Sequence, residues 1–288
     1  MAQLRGLIER GSPQLQGAIH ALNATKLIDD GASCIEIADE IRKSPELSSG
    51  VMALASSVHY GGSRANSVKF AVEILGYDEL RRALLSLAIT SWANCRDNSG
   101  LLDLGVFRRR AVTVAFMAEA IARALQTGHY SKYYVAGMFA DIGYVFLAGH
   151  MPYRLMDAKT ASGPPQSLSL IEAETMCLGF SHVDVSAMSA DIFKLDGEIV
   201  HGIASHHAPC LATGSVQVVA DVVHVAAAAA DAKGILPLRA FPIAEIDHTA
   251  YERLGLTTAA ADLLFLEASS KADVVLSAMK ARVQAQAA

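Results

Sequence analysis

The chain has 288 residues, of which 52% are apolar and 18% are charged, a composition typical of a folded globular protein rather than a disordered one. Its 24 basic and 29 acidic residues give a formal charge of -5, so a general electrostatic attraction to nucleic acid is not expected. The length suggests one large domain or two small ones, with ample chain to bury a core.

The N-terminal segment, the longest apolar run and the cysteines together predict a cytoplasmic protein without membrane contact. The segment Met1–Gly6 lacks the apolar core of an export signal. The closest approach to a spanning helix, Val222–Ala232, is shorter than the roughly 18 apolar residues required and contains a histidine and an aspartate. The four cysteines form no CxxC pair and are expected to be reduced thiols. They are Cys34, Cys95, Cys177 and Cys210.

Apolar residues recur at spacings of three and four through most of the chain, which is the pattern of amphipathic helices. Convincing alternation of apolar and polar residues, which would indicate strands, is absent. The segment Val216–Val225 is rich in valine and could suit a strand, but its polar residues fall at helical spacing. We therefore predict an all-α fold, a bundle of roughly a dozen helices.

In the first third of the chain, helix boundaries are marked by capping residues and glycines. Ser44–Glu46 combines a cap, a first-turn proline and an acid, which predicts a helix over about 45–59. A second helix is predicted from about Ser67 to Leu75, ending at Gly76 in a left-handed conformation. A third follows over about 79–90. Very short turns between these helices predict a compact local bundle.

The remaining predicted elements follow in chain order. Phe107–Leu125 is a long amphipathic helix with a basic start, and Tyr130–His150 is a strongly apolar helix. A capping box formed by Ser169 and Glu172 starts a helix that ends near Gly179. Loops are predicted over 158–167 and 234–248. Further helices are predicted over about 183–194, 197–207 and 216–232, with two short helices at the C-terminal end.

Candidate functional residues are one buried acid and a group of histidines. Asp141 lies within the apolar segment Val135–Leu147, where an ionised carboxylate is costly unless an arginine, backbone amides or a metal ion satisfy it. Histidines and acids that could bind a metal follow later, although packed or surface positions are the more common reading of such histidines. They are His182, Asp184, His201, His206, His207, Asp221 and His224. No GxSxG, P-loop or GxGxxG motif is present.

Several segments, taken in order, resemble the HDOD domain family. The match covers roughly residues 12–232, and four segments in the right order make it moderately specific. The first is an N-terminal part made of the stretches Ser44–Leu47, Leu54–Tyr60 and Ser67–Gly76. The other three are Ala136–Gly143, Glu174–Ala190 and Ile203–His207, with Asp221 where HD-type proteins often have a late aspartate.

This resemblance implies an all-α domain related to the HD phosphohydrolases, whose active members hold metal with a histidine, a His-Asp pair and a later aspartate. This chain departs from that pattern at two positions. Ala140 stands where the pair has its histidine, and Arg110 matches the histidine of the earlier helix. If Arg110 occupies the old ligand position, its guanidinium would replace the metal charge and pair with Asp141.

The resemblance further implies an HDOD-like domain over 12–232, with subdomains at about 12–95 and 105–232, and a C-terminal helical extension over 233–288. The candidate ligand or partner pocket consists of Arg110, Asp141, His182, His206, His207 and Asp221. No catalytic residue, cofactor or metal is expected. If a metal were retained, its ligands would be Asp141, His182, His206 and Asp221.

Three functions remain open. The leading hypothesis is a non-catalytic bacterial signalling module that binds a protein partner in trans or a small ligand, with a nucleotide as a candidate. No recognisable output domain accompanies it in the sequence. The alternatives are a residual metal-dependent phosphohydrolase, and a nucleic-acid-binding regulator using the arginines near residues 81 and 108–110. The net charge argues against the last, and the sequence leaves the oligomeric state open.

Overall fold

The structure is a computed structural model that describes residues 5–6, 8, 14–57, 60, 65–92, 99–164, 168–239 and 246–287. Within these residues the regular elements are helices and no strand is present, which confirms the predicted all-α fold. Contacts divide the chain into two compact units: residues 1–9 with 95–270, and residues 10–94 with 271–288. The predicted subdomain limits near residues 12 and 95 lie outside the described residues and stay predictions.

The smaller unit is built around one long helix. The bounds are α1 (Gln14–Asp29), α2 (Cys34–Arg42), α3 (Pro45–Ala55) and α4 (Val68–Trp92). Helices α1 and α3 pack on α4, and α2 contacts all three. Gly76 interrupts α4 with φ 69°, so the two predicted helices on either side of it are confirmed as separate segments of one element. Helices α1 and α2 lie before residue 45, where no helix was predicted.

The larger unit contains the remaining helices. The bounds are α5 (Leu104–Ala124), α6 (Tyr130–Phe139), α7 (Gly143–His150), α8 (Pro152–Ser162), α9 (Leu170–Leu178), α10 (His182–Ile192), α11 (Gly197–Ser205), a 3-10 turn (Pro209–Leu211), α12 (Gly214–Ala232), α13 (His248–Arg253) and α14 (Thr258–Ala287), of which residues 258–270 belong to this unit. Its centre is formed by α5, α6, α11 and α12, among which α6 and α12 each contact the other three helices. Helices α8 and α9 pair beside α7.

The predicted single helix over 130–150 is wrong, because the chain turns between α6 and α7. Tight hydrogen bonds from the amides of Ile142 and Tyr144 to the carbonyls three residues earlier form this turn. Nearly every residue on both sides of the turn is buried, so the apolar pattern has no polar face whose phase could reveal the break. The consequence is functional, since Asp141 lies in the turn.

Two other boundaries differ from prediction. The loop expected over 158–167 begins only at Gly163, because Ala158 and Ala161 of α8 pack against Ala173 of α9 in a small core. Of the two short terminal helices, α13 is short but α14 has 30 residues. The capping box of Ser169 and Glu172 is confirmed, and the valine-rich segment is helical in α12.

Helix α12 meets, by length and composition, the requirements of a membrane-crossing helix. In this fold, however, 67% of its most apolar window is buried against other helices. Such burial is typical of the core helix of a globular domain, and α12 also carries polar residues of the candidate site. Its apolar character is therefore explained by packing.

Candidate functional site

The candidate site lies inside the larger unit, where five segments converge. Arg110 comes from α5, and Asp141 comes from the turn between α6 and α7. His182 is the first residue of α10, and His206 and His207 follow directly after α11. Asp231 comes from the last turn of α12. Side chains from distant parts of the chain are thus brought together in the interior.

Arg110 and Asp141 form the ion pair expected from their sequence positions. The guanidinium Nε donates to Oδ2 of Asp141 at 2.6 Å, and the two side chains are only 3% and 8% exposed. Burial disfavours the ionised carboxylate, but the Arg110 charge and the neighbouring imidazoles outweigh this effect and hold the pKa of Asp141 below its usual range. Asp141 is therefore ionised and has one oxygen already occupied.

The same guanidinium binds a second acid, Asp231, which sequence analysis did not single out. Nη1 of Arg110 donates to Oδ1 of Asp231 at 2.5 Å and to the carbonyl oxygen of Ile235 at 2.7 Å. Burial raises the pKa of Asp231 to about 6, only partly opposed by Arg110. Burial would lower the pKa of Arg110, but the two carboxylates raise it above its usual value. The arginine is thus permanently charged between two acids.

His182 is held by a buried glutamate. Oε2 of Glu174 accepts from the His182 backbone amide at 2.8 Å and lies 2.7 Å from Nδ1 of its ring. Tyr144 donates its hydroxyl proton to Oε1 of the same glutamate at 2.7 Å, and its ring stacks on the imidazole with centroids 4.1 Å apart. Burial, followed by the Glu174 charge, raises the pKa of Tyr144 well above its usual value. These contacts fix the ring so that Nε2 faces Asp141.

The two adjacent histidines complete the cluster. His206 directs Nδ1 to the carbonyl oxygen of Ile203 at 2.8 Å, and its Nε2 lies 3.8 Å from Oδ1 of Asp141. Nε2 of His207 lies 3.1 Å from Nε2 of His182. Burial lowers the pKa of His206 to about 4 and that of His207 well below its usual value, so both rings are neutral near pH 7. Both adjacent histidines of the predicted pocket therefore belong to the cluster.

Asp221 is not part of this cluster, which corrects its inclusion among the candidate pocket and metal residues. Its carboxylate binds Arg253 of α13, which donates from Nη2 to Oδ1 at 2.6 Å and from Nε to Oδ2 at 3.0 Å. The α12 acid that Arg110 contacts is Asp231, ten positions after Asp221. On α12, the acid that reaches the cluster is therefore Asp231 and not Asp221.

His224 connects the cluster to the C-terminal part of the unit. Its Nδ1 lies 2.8 Å from the carbonyl oxygen of His206, and its Nε2 accepts from the amide of Asp247 at 2.9 Å. Asp184 and His201, the two remaining candidates from the sequence, do not reach the cluster. Asp184 forms a capping box with Ser181, and His201 is exposed on α11.

Gly143 allows the site to close. A Cβ at this position would lie 2.2 Å from the carbonyl oxygen of His182, a distance that real atoms do not adopt. The Gly143 amide donates to the hydroxyl of Ser186 at 2.9 Å, which ties the start of α7 to α10. This close approach brings the turn carrying Asp141 against the histidine that opens α10.

Four side chains of the cluster could together hold a cation. Ligand atoms of Asp141, His182, His206 and His207 all lie within 4.8 Å of one another. Imidazole nitrogens with one carboxylate are a donor set that suits zinc and other first-row transition metals. Ala140, by contrast, is fully buried and offers no donor atom. The donor set fits one metal ion, whereas the second oxygen of Asp141 is taken by Arg110.

Two residues of this arrangement were not predicted, because neither has a distinctive sequence context. Glu174 was noted only as the start of a family segment, yet it orients His182. Asp231 follows a run of five alanines and resembles an ordinary helix-end acid. The signal for Asp231 would have been its position on a helix face that is apolar as far as residue 231. An acid on such a buried face needs a partner.

The chain belongs to the HDOD family, whose domain matches residues 13–209, more than half of the 288 residues. This membership confirms the resemblance and fits a regulatory role. No curated protein matches the chain.

Solved structures share the fold. An HDOD domain protein of unknown function from Geobacter sulfurreducens has a TM-score of 0.71 and 21% sequence identity, over 89% of this chain and 91% of its own. A protein provisionally described as a signal transduction protein, from Marinobacter aquaeolei VT8, has a TM-score of 0.73 and 20% identity, over 98% and 65%. A provisionally described phosphohydrolase from Shewanella amazonensis SB2B has a TM-score of 0.73 and 18% identity, over 97% of each chain. At such identities the likeness concerns the fold alone.

Proposed function

We propose that this chain is a non-catalytic bacterial signalling domain that acts by binding another protein or a small ligand. The observation that carries the proposal is a pair of buried salt bridges. The guanidinium of Arg110 binds both Asp141 and Asp231 in the interior of the larger unit. In a phosphohydrolase site the carboxylate would hold a metal ion that activates water. In this chain the Arg110 guanidinium, a fixed organic cation, binds Oδ2 of Asp141 instead.

The loss of donor atoms supports the same conclusion. Catalytic metal sites keep an open position for water or substrate next to their protein ligands. Arg110 and Ala140 both lack the imidazole nitrogen that the active relatives have at the matching positions. A site closed by a salt bridge has less room for a phosphate group and a water molecule, so hydrolysis is not expected.

The cluster joins helices in a way suited to signalling. Arg110 on α5 is tied to the α6–α7 turn and to α12, and His182 ties the start of α10 to the same turn. A ligand or partner that changed one of these contacts would alter the packing of several helices. We propose a signalling protein in trans as the partner and a nucleotide as the candidate small ligand.

The setting proposed for this role is the cytoplasm, and the three described cysteines are free thiols, which supports it. Neither nucleic acid nor a membrane is proposed as a partner. The formal charge of -5 gives no general attraction to phosphate backbones.

The proposal is tested by assaying phosphate-ester hydrolysis. The full chain is incubated with a phosphodiester, a phosphomonoester and a set of nucleotides, with manganese, iron or zinc added in turn. We expect product release no greater than that of an Asp141→Asn variant, together with saturable binding of a nucleotide or a protein partner measured by calorimetry. Metal-dependent turnover that Asp141→Asn removes would refute the proposal.

A residual metal-dependent phosphohydrolase is the second candidate. The observation that favours it is the group of ligand atoms from Asp141 and three histidines within 4.8 Å. The same hydrolysis assay separates the two functions, because only the hydrolase predicts turnover that depends on both the metal and Asp141.

A further inference from the structure

We propose that Asp141, His182, His206 and His207 bind one divalent transition-metal ion in a closed site, with the Arg110 guanidinium in the place of a second cation. This inference goes beyond the signalling role, which requires no metal. It also departs from the expectation from sequence that no metal is bound. The four side chains belong to the larger unit and come from three separate segments of it.

Hydrogen bonds on the far side of two rings fix where their lone pairs point. Nδ1 of His182 lies 2.7 Å from a carboxylate oxygen of Glu174, and Nδ1 of His206 lies 2.8 Å from the carbonyl oxygen of Ile203. Both oxygens can only accept, so each Nδ1 must carry the proton. A neutral ring protonated at Nδ1 has its lone pair at Nε2. Both Nε2 atoms are therefore ready to serve as metal ligands.

The lone pairs of His182 and His206 both lie near Oδ1 of Asp141. Nε2 of His182 and Nε2 of His206 lie 3.6 and 3.8 Å from Oδ1 of Asp141, which is itself an acceptor. Nε2 of His206 is buried and has no hydrogen-bond partner, although His206 is only 1% exposed. A buried polar atom without a partner is costly. A cation between the three atoms would satisfy all of them at once.

The spacing of the atoms suits a single ion. With bonds of about 2.0–2.1 Å in tetrahedral geometry, neighbouring ligand atoms are about 3.3–3.4 Å apart. The distances here are 3.1 Å between His182 and His207, and 3.6 and 3.8 Å from the two other Nε2 contacts to Asp141. Small side-chain adjustments would therefore complete the coordination. Glu174 and the Ile203 carbonyl supply the outer contacts that commonly orient histidine ligands.

Charge explains why one ion is expected and not two. Arg110 carries one positive charge between two carboxylates, Asp141 and Asp231, so the group retains a negative charge when both acids are ionised. That charge favours a nearby cation. A second metal ion would need Oδ2 of Asp141, which Arg110 already binds. Four protein ligands fill a tetrahedral ion, as in structural zinc sites, and leave no position for water.

Metal content and cobalt binding test the inference on the full chain. Protein purified without chelator is analysed for zinc, iron, manganese and cobalt, and chelator-treated protein is titrated with Co²⁺ while its visible d–d absorption is recorded. The variants are His206→Ala and His207→Ala, and the control is His201→Ala, which removes an exposed histidine of α11 outside the cluster. His207 is only partly buried, so its variant keeps the test valid if His206→Ala does not fold.

We expect wild type and His201→Ala to bind about one equivalent of Co²⁺, with the absorption of a four-coordinate ion and a raised melting temperature. Each cluster variant should lose at least about tenfold in affinity and lose the thermal shift, because removing a ligand costs at least as much as removing an outer contact. Three results would overturn the inference. Wild type could fail to bind Co²⁺, both cluster variants could bind it as tightly as wild type does, or wild type could bind two equivalents per chain.

The outcome also separates this inference from the signalling proposal. Metal binding without phosphate release supports both. Absence of metal binding and of phosphate release overturns only the metal site. Phosphate release that requires the bound metal overturns the signalling proposal and the closed character of the site.

Discussion

Arg110 and Asp231 lie 121 positions apart in the sequence and are joined by a buried ion pair. Through the same guanidinium, Asp231 is also connected to Asp141 in the turn between α6 and α7. One arginine thus holds α12 and this turn against α5. Its two partners come from segments that are far apart in the chain. The three-residue group therefore joins three separate segments at the centre of the larger unit.

Replacing Arg110 with alanine should strongly destabilise the protein. The change leaves two buried carboxylates without a cation, and breaking a buried pair in this way costs about 3–5 kcal/mol. Urea unfolding of Arg110→Ala and wild type measures the difference. Arg109→Ala is the matched control, since it removes the same kind of side chain from an exposed position on the same helix and should cost clearly less than Arg110→Ala. Equal stability of Arg110→Ala and wild type would show that the ion pair is energetically unimportant.

Much of the fold follows from local sequence signals. The cap at Ser44, the capping box at Ser169 and the break at Gly76 were predictable because each depends on residues close together in the chain. The break near Asp141 was not, because the segment is buried on all sides. It depends on the approach of α10, which local sequence does not encode.

The candidate site was predictable in part. The pairing of Arg110 with Asp141 followed from comparing positions with a family pattern, and the histidines were visible as a group. The place of Asp221 was wrong because an aspartate on α12 can face either α13 or the site, and only the packing of α13 decides which. Asp231 and Glu174 act through contacts across the fold that no spacing rule marks.

Gly143→Ala should destabilise the protein by about 1–3 kcal/mol, the usual cost of overpacking. The new methyl group would meet the backbone carbonyl of His182, which cannot move aside as a flexible side chain would. Gly197→Ala is the control, because a Cβ at that helix start finds its nearest neighbour, Nδ1 of His201, at 3.9 Å. Thermal unfolding should show a lower melting temperature only for Gly143→Ala. A wild-type melting temperature for that variant would contradict the close approach.

Acidification should destabilise chelator-treated protein. The pKa of His206 is lowered to about 4 from its usual 6.5, so below pH 6.5 the unfolded ring takes up a proton that the folded ring refuses. Stability is then lost progressively as pH falls from 6.5 toward 4, and the lowered pKa values of His207 and His224 add to the loss. Asp231 acts oppositely, because its raised pKa of about 6 lets the folded state bind a proton first.

An Asp231→Asn variant isolates these opposing effects. It keeps an oxygen for Arg110 but removes the titrating acid, so its stability should fall more steeply than wild type between about pH 6 and about pH 4. Urea unfolding of chelator-treated proteins across this range measures both slopes. A wild-type stability that is constant or rises on acidification would contradict the assignment of neutral buried imidazoles.

Asp221→Asn separates structural from site residues. Loss of the charged partner of Arg253 should cost about 1.5–3 kcal/mol, the range for hydrogen bonds to charged groups. Because Asp221 binds α13 and not the cluster, Co²⁺ affinity should stay within about twofold of wild type, in contrast to the His207→Ala variant. A loss of Co²⁺ affinity comparable to that of His207→Ala would return Asp221 to the candidate site.

We propose that Arg110 closes the position that corresponds to the catalytic metal site of HD phosphohydrolases. A crystal structure of the chain soaked in excess Mn²⁺ or Zn²⁺, with anomalous data collected at the metal edge, tests it most directly. We expect Arg110 to stay on Asp141 and Asp231, with at most one metal peak, which should lie among the three histidines. Arg110 displaced from Asp141, with two metal peaks bridged by that carboxylate, would contradict it.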